Sequence, residues 1–412
     1  MERRRVVITG IGMITAVGLT RDETWQALLA GSNGVGPIAA FDTSDFKVNF
    51  AAEVKDFDPT MAMDPKDARK ADRYAQFAVC AAAEAVAQAA PGEFDPERAG
   101  VLIGSGIGGM LTFEEQHGKL LAQGPSRVSP LFIPMMIADM ATGLVSIRFG
   151  YRGPNYATVS ACASAGHALV ASAMHIMMGD ADLMVTGGAE ASVSPMALAG
   201  FANMKALSTR NDDPGRASRP FDAERDGFVL GEGAGIIVLE ELESALARGA
   251  DIIAEIAGYG VTGDAYHMTQ PENEGHGMRN AMRLAVAAAG LEPTVIGYIN
   301  AHGTSTPFND RIESKAIADL FGDHVGALAV SSTKSMTGHL LGAAGGVETA
   351  ITALALQSGK LPPTINYETP DPACDLFYCP NETVARDVAS ALSNSFGFGG
   401  HNVSLCLRRW SG

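Results

Sequence analysis

The stretches "TVSACASAGHALVASAMHIM" (158–177) and "AVSSTKSMTGHLLGAAGGVETAITAL" (329–354) share one plan. Each opens as a short β-type run, passes through Ser, Thr and other small residues, and continues as a Gly/Ala-rich helix. The likeness signals an internal duplication. Outward from the first stretch, strand-like runs alternate with helical ones: "RRVVITGIG", then "TWQALLAG"; "RAGVLIGSG"; "ADLMVTGGAE". Near residue 251 the series begins again, with "ADIIAEIAGYGVTGD", the helical "GMRNAMRLAVAAAG" and the strand "IGYINAHGT". Alternation of this kind implies a layered α/β architecture. A glycine costs a helix about 1 kcal/mol relative to alanine, so the glycines inside these helices imply close packing in the core. The region 203–232, "NMKALSTRNDDPGRASRPFDAERDGFVLGE", carries the Pro, Gly and charge content of an ordered surface loop.

Composition excludes several classes of function. Apolar residues make up 47% of the 412 and charged residues 18%, a globular and not a disordered balance. A formal net charge of −16 argues against a nucleic-acid-binding body, although a local basic patch can still serve an acidic partner. The apolar run after "MERRR" is short and punctuated by glycine, which reads as a first strand and not a secretory leader. No unbroken apolar run reaches the ~18–20 residues of a membrane span, so the expected location is the cytoplasm. The five dispersed cysteines fit reduced thiols better than a disulfide framework.

Chemistry concentrates in a few segments. Cys162 follows a strand and opens a helix, where free N–H groups and the positive end of the helix dipole favour a thiolate. Position alone leaves a nucleophile and a buried structural cysteine equally open. His302 in "YINAHGTSTPFND" and His339 in "SSTKSMTGHLLGAAG" lie in loops after apolar strands, among Gly, Ser and Thr. Thr304 and Thr306 beside His302 are expected to hydrogen-bond a ligand. A thiol that holds an acyl chain, with two imidazoles polarising a thioester carbonyl, is a more economical account than zinc, for which no fourth ligand is evident. Lys334 is the lone charge in its segment; in a pocket it would organise a carboxylate such as Glu348 and suppress protonation of nearby histidines. "GSGIGG" (104–109) satisfies a dinucleotide-binding pattern formally, but no full βαβ unit follows, so a pocket-lining turn is the better reading. "SNSFGFGGHN" (393–402) reads as a bulged strand or a hinged, pocket-lining loop.

Together these segments resemble the β-ketoacyl-acyl carrier protein synthases, the type II elongating condensing enzymes of dissociated bacterial fatty-acid synthesis. The resemblance runs over essentially the whole chain, from "RRVVITGIGM" through "GDADLMVTGGAE", "NAHGTSTP" and "SSTKSMTGHLLGAAG" to "SNSFGFGG". It implies the thiolase fold: duplicated halves in five α-β-α-β-α layers, with residues 1–250 carrying the nucleophile and 251–412 the two histidines. Carried over by position, it implies Cys162 as the nucleophile that takes the acyl chain, and His302 and His339 as the groups that bind the malonyl thioester. Lys334 and Glu348 match the family's lysine and following carboxylate. Phe398 matches a gating residue, its N–H forming an oxyanion hole with that of Cys162, and Ile107 and Phe201 match the acyl-pocket lining. The implied partners are acyl- and malonyl-acyl carrier protein, docked by Lys66, Arg69 and Lys70, and a second copy of the chain in a homodimer. No organic cofactor is implied; some members hold a monovalent cation near the positions of Asn300, Glu348, Ser393 and Asn394.

Neighbouring readings are weaker. A degradative thiolase needs a second catalytic cysteine, and Cys374, Cys379 and Cys406 lie in unsuitable contexts. A starter-condensing enzyme would show Cys-His-Asn, and a chain-length factor would lack the nucleophile. A ketosynthase subunit of a type II polyketide or related lipid pathway stays open. His401 after "FGFGG" and Phe308, Asn309 and Arg311 after "TP" depart from the common pattern without touching the Cys-His-His set.

Overall fold

The computed structural model describes residues 4–412. Five strands of the main sheet come from the first half: β1 (Val6–Ile14), β2 (Ala99–Gly104), β3 (Asn155–Thr158), β4 (Leu183–Glu190) and β5 (Gly233–Glu241). Five come from the second: β6 (Ala254–Gly263), β7 (Tyr298–Asn300), β8 (Ala329–Ser331), β9 (Ser390–Gly397) and β10 (His401–Arg409). Hydrogen bonding orders them β8-β7-β9-β10-β6-β1-β5-β4-β2-β3. Outward from the centre, each half therefore runs first, fifth, fourth, second, third. Pairing repeats as well: the fifth strand is antiparallel to the first and fourth, while the second is parallel to the third and fourth. The halves meet where Val6, Val7 and Ile8 pair with Ile256, Glu255 and Ala254.

Helices complete the layers. On the first half, α1 (Arg73–Ala89) packs on β1, β5 and β4. Between the two sets of strands lie α2 (Ser164–Met178), against β2, β4 and β10, and, from the second half, α5 (Ala344–Ser358), against β4, β5, β9 and β10. On the far side α3 (His276–Ala288) covers β6 and β10 and packs on α4 (Pro307–Phe321). This is the five-layered α/β arrangement of the thiolase fold. Helix α2, extended to Ala161–Met178, is long and apolar enough to cross a membrane, but most of it is buried in this middle layer.

Glycine in the strands sets the layer spacing. A Cβ on Gly12 of β1 would come within 1.9 Å of the Ala81 carbonyl oxygen of α1, and one on Gly260 of β6 within 2.0 Å of the Ala281 carbonyl oxygen of α3. In both halves an alanine-rich helix rests on strand backbone, a contact possible only without a side chain beneath it.

The segment 203–232 differs only in part from its expectation as a surface loop: most of 203–216 is exposed or half-buried, but 217–222 is buried. Phe221, Arg219 and Asp222 are fully buried. Its charges pair inward instead: Arg219 with Asp222 at 2.9 Å, and Arg225 with Asp371 at 2.6 Å. Buried ion pairs hold one geometry because separating them strands a charge, so residues 217–222 form a fixed wall of the interior.

Candidate active site

Cys162 sits in the turn between β3 and α2, bracketed by a bridge from Ser160 to Cys162. The preceding residue, Ala161, has φ +51°. The other two site segments carry a non-glycine residue in the same left-handed region, Ser305 at +68° and Leu341 at +47°. Such conformations persist only where the surroundings impose them. Gly397, at the end of β9, packs on the nucleophile turn: a Cβ there would lie 3.0 Å from the Ser160 carbonyl oxygen and 3.1 Å from the Cys162 nitrogen.

The fold brings the sequence-predicted trio together. His339 Nε2 lies 3.1 Å from Cys162 Sγ, and donor atoms of Cys162, His302 and His339 all fall within 4.8 Å of one another. The imidazoles meet edge to face, with centroids 5.3 Å apart. Burial holds both well below the usual histidine range, and the Lys334 charge adds to the effect, so each is neutral near pH 7. Burial also pushes the Cys162 thiol up, to about 11; Lys334 and the backbone N–H groups of Phe398 and Cys162 pull it back only in part. This corrects the expectation of a resting thiolate: the helix start is present, but desolvation dominates. The resting pair is a thiol against a neutral imidazole.

Lys334 and Glu348 stand behind the histidines and not on the cavity wall. Lys334 Nζ donates to the His302 carbonyl oxygen at 2.6 Å, approaches His302 Nδ1 at 3.5 Å and is ion-paired with Glu348. A donor on Nδ1 leaves the His302 proton on Nε2, so Lys334 is a positioning residue. Burial raises the Glu348 carboxyl to about 7 against the pull of Lys334. Glu348 is the carboxylate that Lys334 organises, and it lies off the cavity wall. Glu313, which the sequence reading missed, accepts from the N–H groups of His302 and Gly303, both at 2.8 Å. Phe228, also missed, stacks edge-on against His339 with centroids 5.4 Å apart. Phe228 acts on a segment distant in the chain and has no local signal, whereas Glu313 lies only eleven residues past His302, on α4, and was open to a closer reading of that loop.

A cavity of about 380 Å³ opens on Cys162. Ile107, Phe201, Phe228 and Leu341 supply apolar wall, and Phe398, Thr304 and Thr306 also line it. The Thr306 hydroxyl already accepts from the Asn309 N–H as the cap of α4. The turn at 104–109 is thus a cavity wall and not a nucleotide loop, while "SNSFGFGGHN" forms a hairpin whose tip, Phe398, reaches the cavity. Phe308 lies at the rim. Lys66, Arg69 and Lys70 are exposed around a short helix and line no part of the cavity. Among the cation candidates, Asn300 Oδ1 and Glu348 Oε2 are buried without a hydrogen-bond partner. Asn394 differs, because its Oδ1 accepts from Ser404 and its Nδ2 faces Glu313.

A duplicated α/β fold that gathers one thiol and two neutral imidazoles at an apolar cavity defines a thiol-dependent acyl-transfer enzyme. Residues 3–245 match the family described as beta-ketoacyl synthase, N-terminal domain, and residues 253–368 match its C-terminal domain. The chain belongs to the β-ketoacyl synthase family. It is 53% identical over 412 residues to a 3-oxoacyl-[acyl-carrier-protein] synthase 2 of Synechocystis sp., covering 100% of this chain and 99% of that one. A β-ketoacyl synthase from Burkholderia phymatum superposes with TM-score 0.91 at 39% identity, over 99% of this chain and 100% of that one. A ketosynthase bound to the hexaketide, in complex with its type II polyketide acyl-carrier protein, gives TM-score 0.92 at 33% identity over 100% of both chains.

Proposed function

We propose that the protein is a 3-oxoacyl-[acyl carrier protein] synthase that lengthens an acyl chain by two carbons. The observation that carries this is the 3.1 Å approach of His339 to Cys162, with His302 beside it, at an apolar cavity. The thiol passes its proton to His339 as sulfur attacks the carrier-bound acyl thioester, and the carrier thiol leaves. Malonyl thioester then binds against the two imidazoles and loses CO2, the electron pair of the broken C–C bond becoming an enolate. Enolate carbon attacks the acyl carbonyl, the C–S bond to Cys162 breaks, and the departing thiolate takes a proton from solvent. The N–H groups of Cys162 and Phe398 face the carbonyl oxygen in both acyl steps; one such donor is worth about 3–4 kcal/mol of barrier in comparable sites.

No electron leaves or enters this sequence, so it needs no organic cofactor. Asn300 and Glu348, each with a spare buried oxygen, would help hold a structural monovalent cation, with Ser393 and Asn394 nearby; a cation there neutralises charge behind the histidines. The free, buried cysteines support a reducing, cytoplasmic location. Lys66, Arg69 and Lys70 supply positive charge on an acidic protein for steering the acidic carrier protein. The second copy in a homodimer would cover the free edge of β3. Large apolar side chains lie exposed on and beside it: Tyr156 on the strand, Val159 just past its end and Met178 at the end of α2.

Mass analysis of products from acyl- and malonyl-carrier proteins of graded length tests the reading. A product two carbons longer, through an acyl adduct on Cys162, supports it; an adduct elsewhere, or condensation by Cys162→Ala, overturns it. Preference for polyketide over fatty-acyl substrates in the same assay would favour the polyketide alternative, for which the hexaketide-bound relative speaks.

A further inference from the structure

Glu190 ends β4 and is fully buried, yet has no salt-bridge partner among the described residues. Its carboxylate is nonetheless saturated. Oε1 accepts from Ser105 Oγ at 2.9 Å and the Ile107 N–H at 3.2 Å; Oε2 accepts from the Gly106 N–H at 2.6 Å and the Gly342 N–H at 3.0 Å. A carboxylate has about four acceptor sites, and donors fill all of them. Three of those donors belong to the turn that carries the cavity residue Ile107. The fourth lies three residues past His339, in the other half of the molecule. There is no room for an alternative: a Cβ on Gly106 would lie 2.8 Å from Oε2, and one on Gly342 would lie 2.6 Å from Oε2 and 2.1 Å from the Gly106 nitrogen. Glu190 also faces Cys162 electrostatically, opposing Lys334.

We propose that Glu190 is a positioning residue whose carboxylate clamps the Ser105–Ile107 wall to the His339–Gly342 turn, so that it sets both the acyl length the cavity accepts and the seating of His339 on Cys162. The inference rests on the reading of Cys162 as the acyl-carrying nucleophile. Glu190→Gln places an amide NH2 against backbone N–H donors and expels the clamp; Glu190→Asp keeps the charge but withdraws it by one methylene.

Two readouts separate this role from a purely structural one. The first is kcat and KM across acyl-carrier proteins of graded length. Both variants are expected to change the preferred length, with roughly tenfold loss of kcat/KM on the length the wild type prefers. The second is the pH dependence of Cys162 alkylation by iodoacetamide. The thiol faces His339, His302, Lys334 and Glu190, so Glu190→Gln is expected to move the alkylation midpoint to lower pH, while Glu190→Asp leaves it in place. A lowered Tm with unchanged length preference and unchanged midpoint overturns the proposal. If Glu190→Gln does not fold, the length preference of Glu190→Asp decides alone, and an unaltered preference overturns it. Acylation of wild-type protein at a residue other than Cys162 would instead overturn the nucleophile assignment, which the adduct mass distinguishes.

Discussion

The two halves share strand order, strand pairing and even the glycine on which the outer helix rests, yet they present different chemistry at equivalent points. Beyond the second strand, the first half offers apolar Ile107 and the second offers His302. Beyond the third strand, the first half runs almost directly into α2 and presents Cys162. The second half inserts a short helix, Lys334–Thr337, before α5, and so presents both Lys334 and His339. The fourth strand ends in Glu190 in one half, and in the other Phe398 stands just past its end. Duplication supplied two similar frames, and on the proposed mechanism catalysis divides the labour between them: the first would hold the acyl group and the second would handle malonyl charge.

That division is separable by mutation. Cys162→Ala is expected to lower condensation by at least about 10⁴-fold, as removal of a nucleophile generally does, while decarboxylation of malonyl thioester persists on the intact histidine pair. His302→Ala should do the reverse, still accepting an acyl group on Cys162 but losing decarboxylation. Separate assays of acyl adduct, released CO2 and condensed product check both. If Cys162→Ala and His302→Ala lose all three alike, the halves do not divide the work.

The second half sets a buried ion pair, Lys334 with Glu348, directly behind its histidines. Lys334→Ala leaves Glu348 buried without its partner, which costs about 3–5 kcal/mol in comparable settings. Urea unfolding should show that loss, and Lys334→Met with Glu348→Gln should recover most of it. Activity should not recover with stability, because the donor that orients His302 is gone.

Much of this division was legible in the chain. The paired stretches at 158–177 and 329–354 gave the duplication, and Cys162, His302 and His339 stood out by residue type and loop context. Clustering was not legible in either stretch alone, since His339 reaches Cys162 across 177 residues. Burial was the larger gap. The charges of 218–226 read as surface because sequence shows a charge but not the partner that allows its burial. The helix start at Cys162 likewise promised a thiolate because it showed the dipole and hid the desolvation.

That desolvation gives the first half its pH signature. With the Cys162 thiol raised to about 11, the thiolate fraction grows about tenfold per pH unit below that value. Iodoacetamide alkylation of the free enzyme should therefore rise through pH 8, 9 and 10 and reach its midpoint near 11. A plateau near pH 7 would mean that the helix start, and not burial, governs the thiol. Neutral His302 and His339 predict no inflection between pH 6 and 8.

The smallest expected effect tests the apolar wall at the point where the halves differ most plainly. Ile107 and His302 follow equivalent strands and both line the cavity, but Ile107 is part of its apolar wall, where the proposed acyl tail would lie. Ile107→Trp adds volume to that wall, and overpacking of a fixed site costs about 1–3 kcal/mol unless the occupant is shortened. Long acyl chains should lose about tenfold in kcat/KM while short chains and malonyl thioester keep theirs, a selectivity that a general loss of fold cannot produce. Equal loss across all lengths would show that the tail lies elsewhere, and would move chain-length control out of the first half.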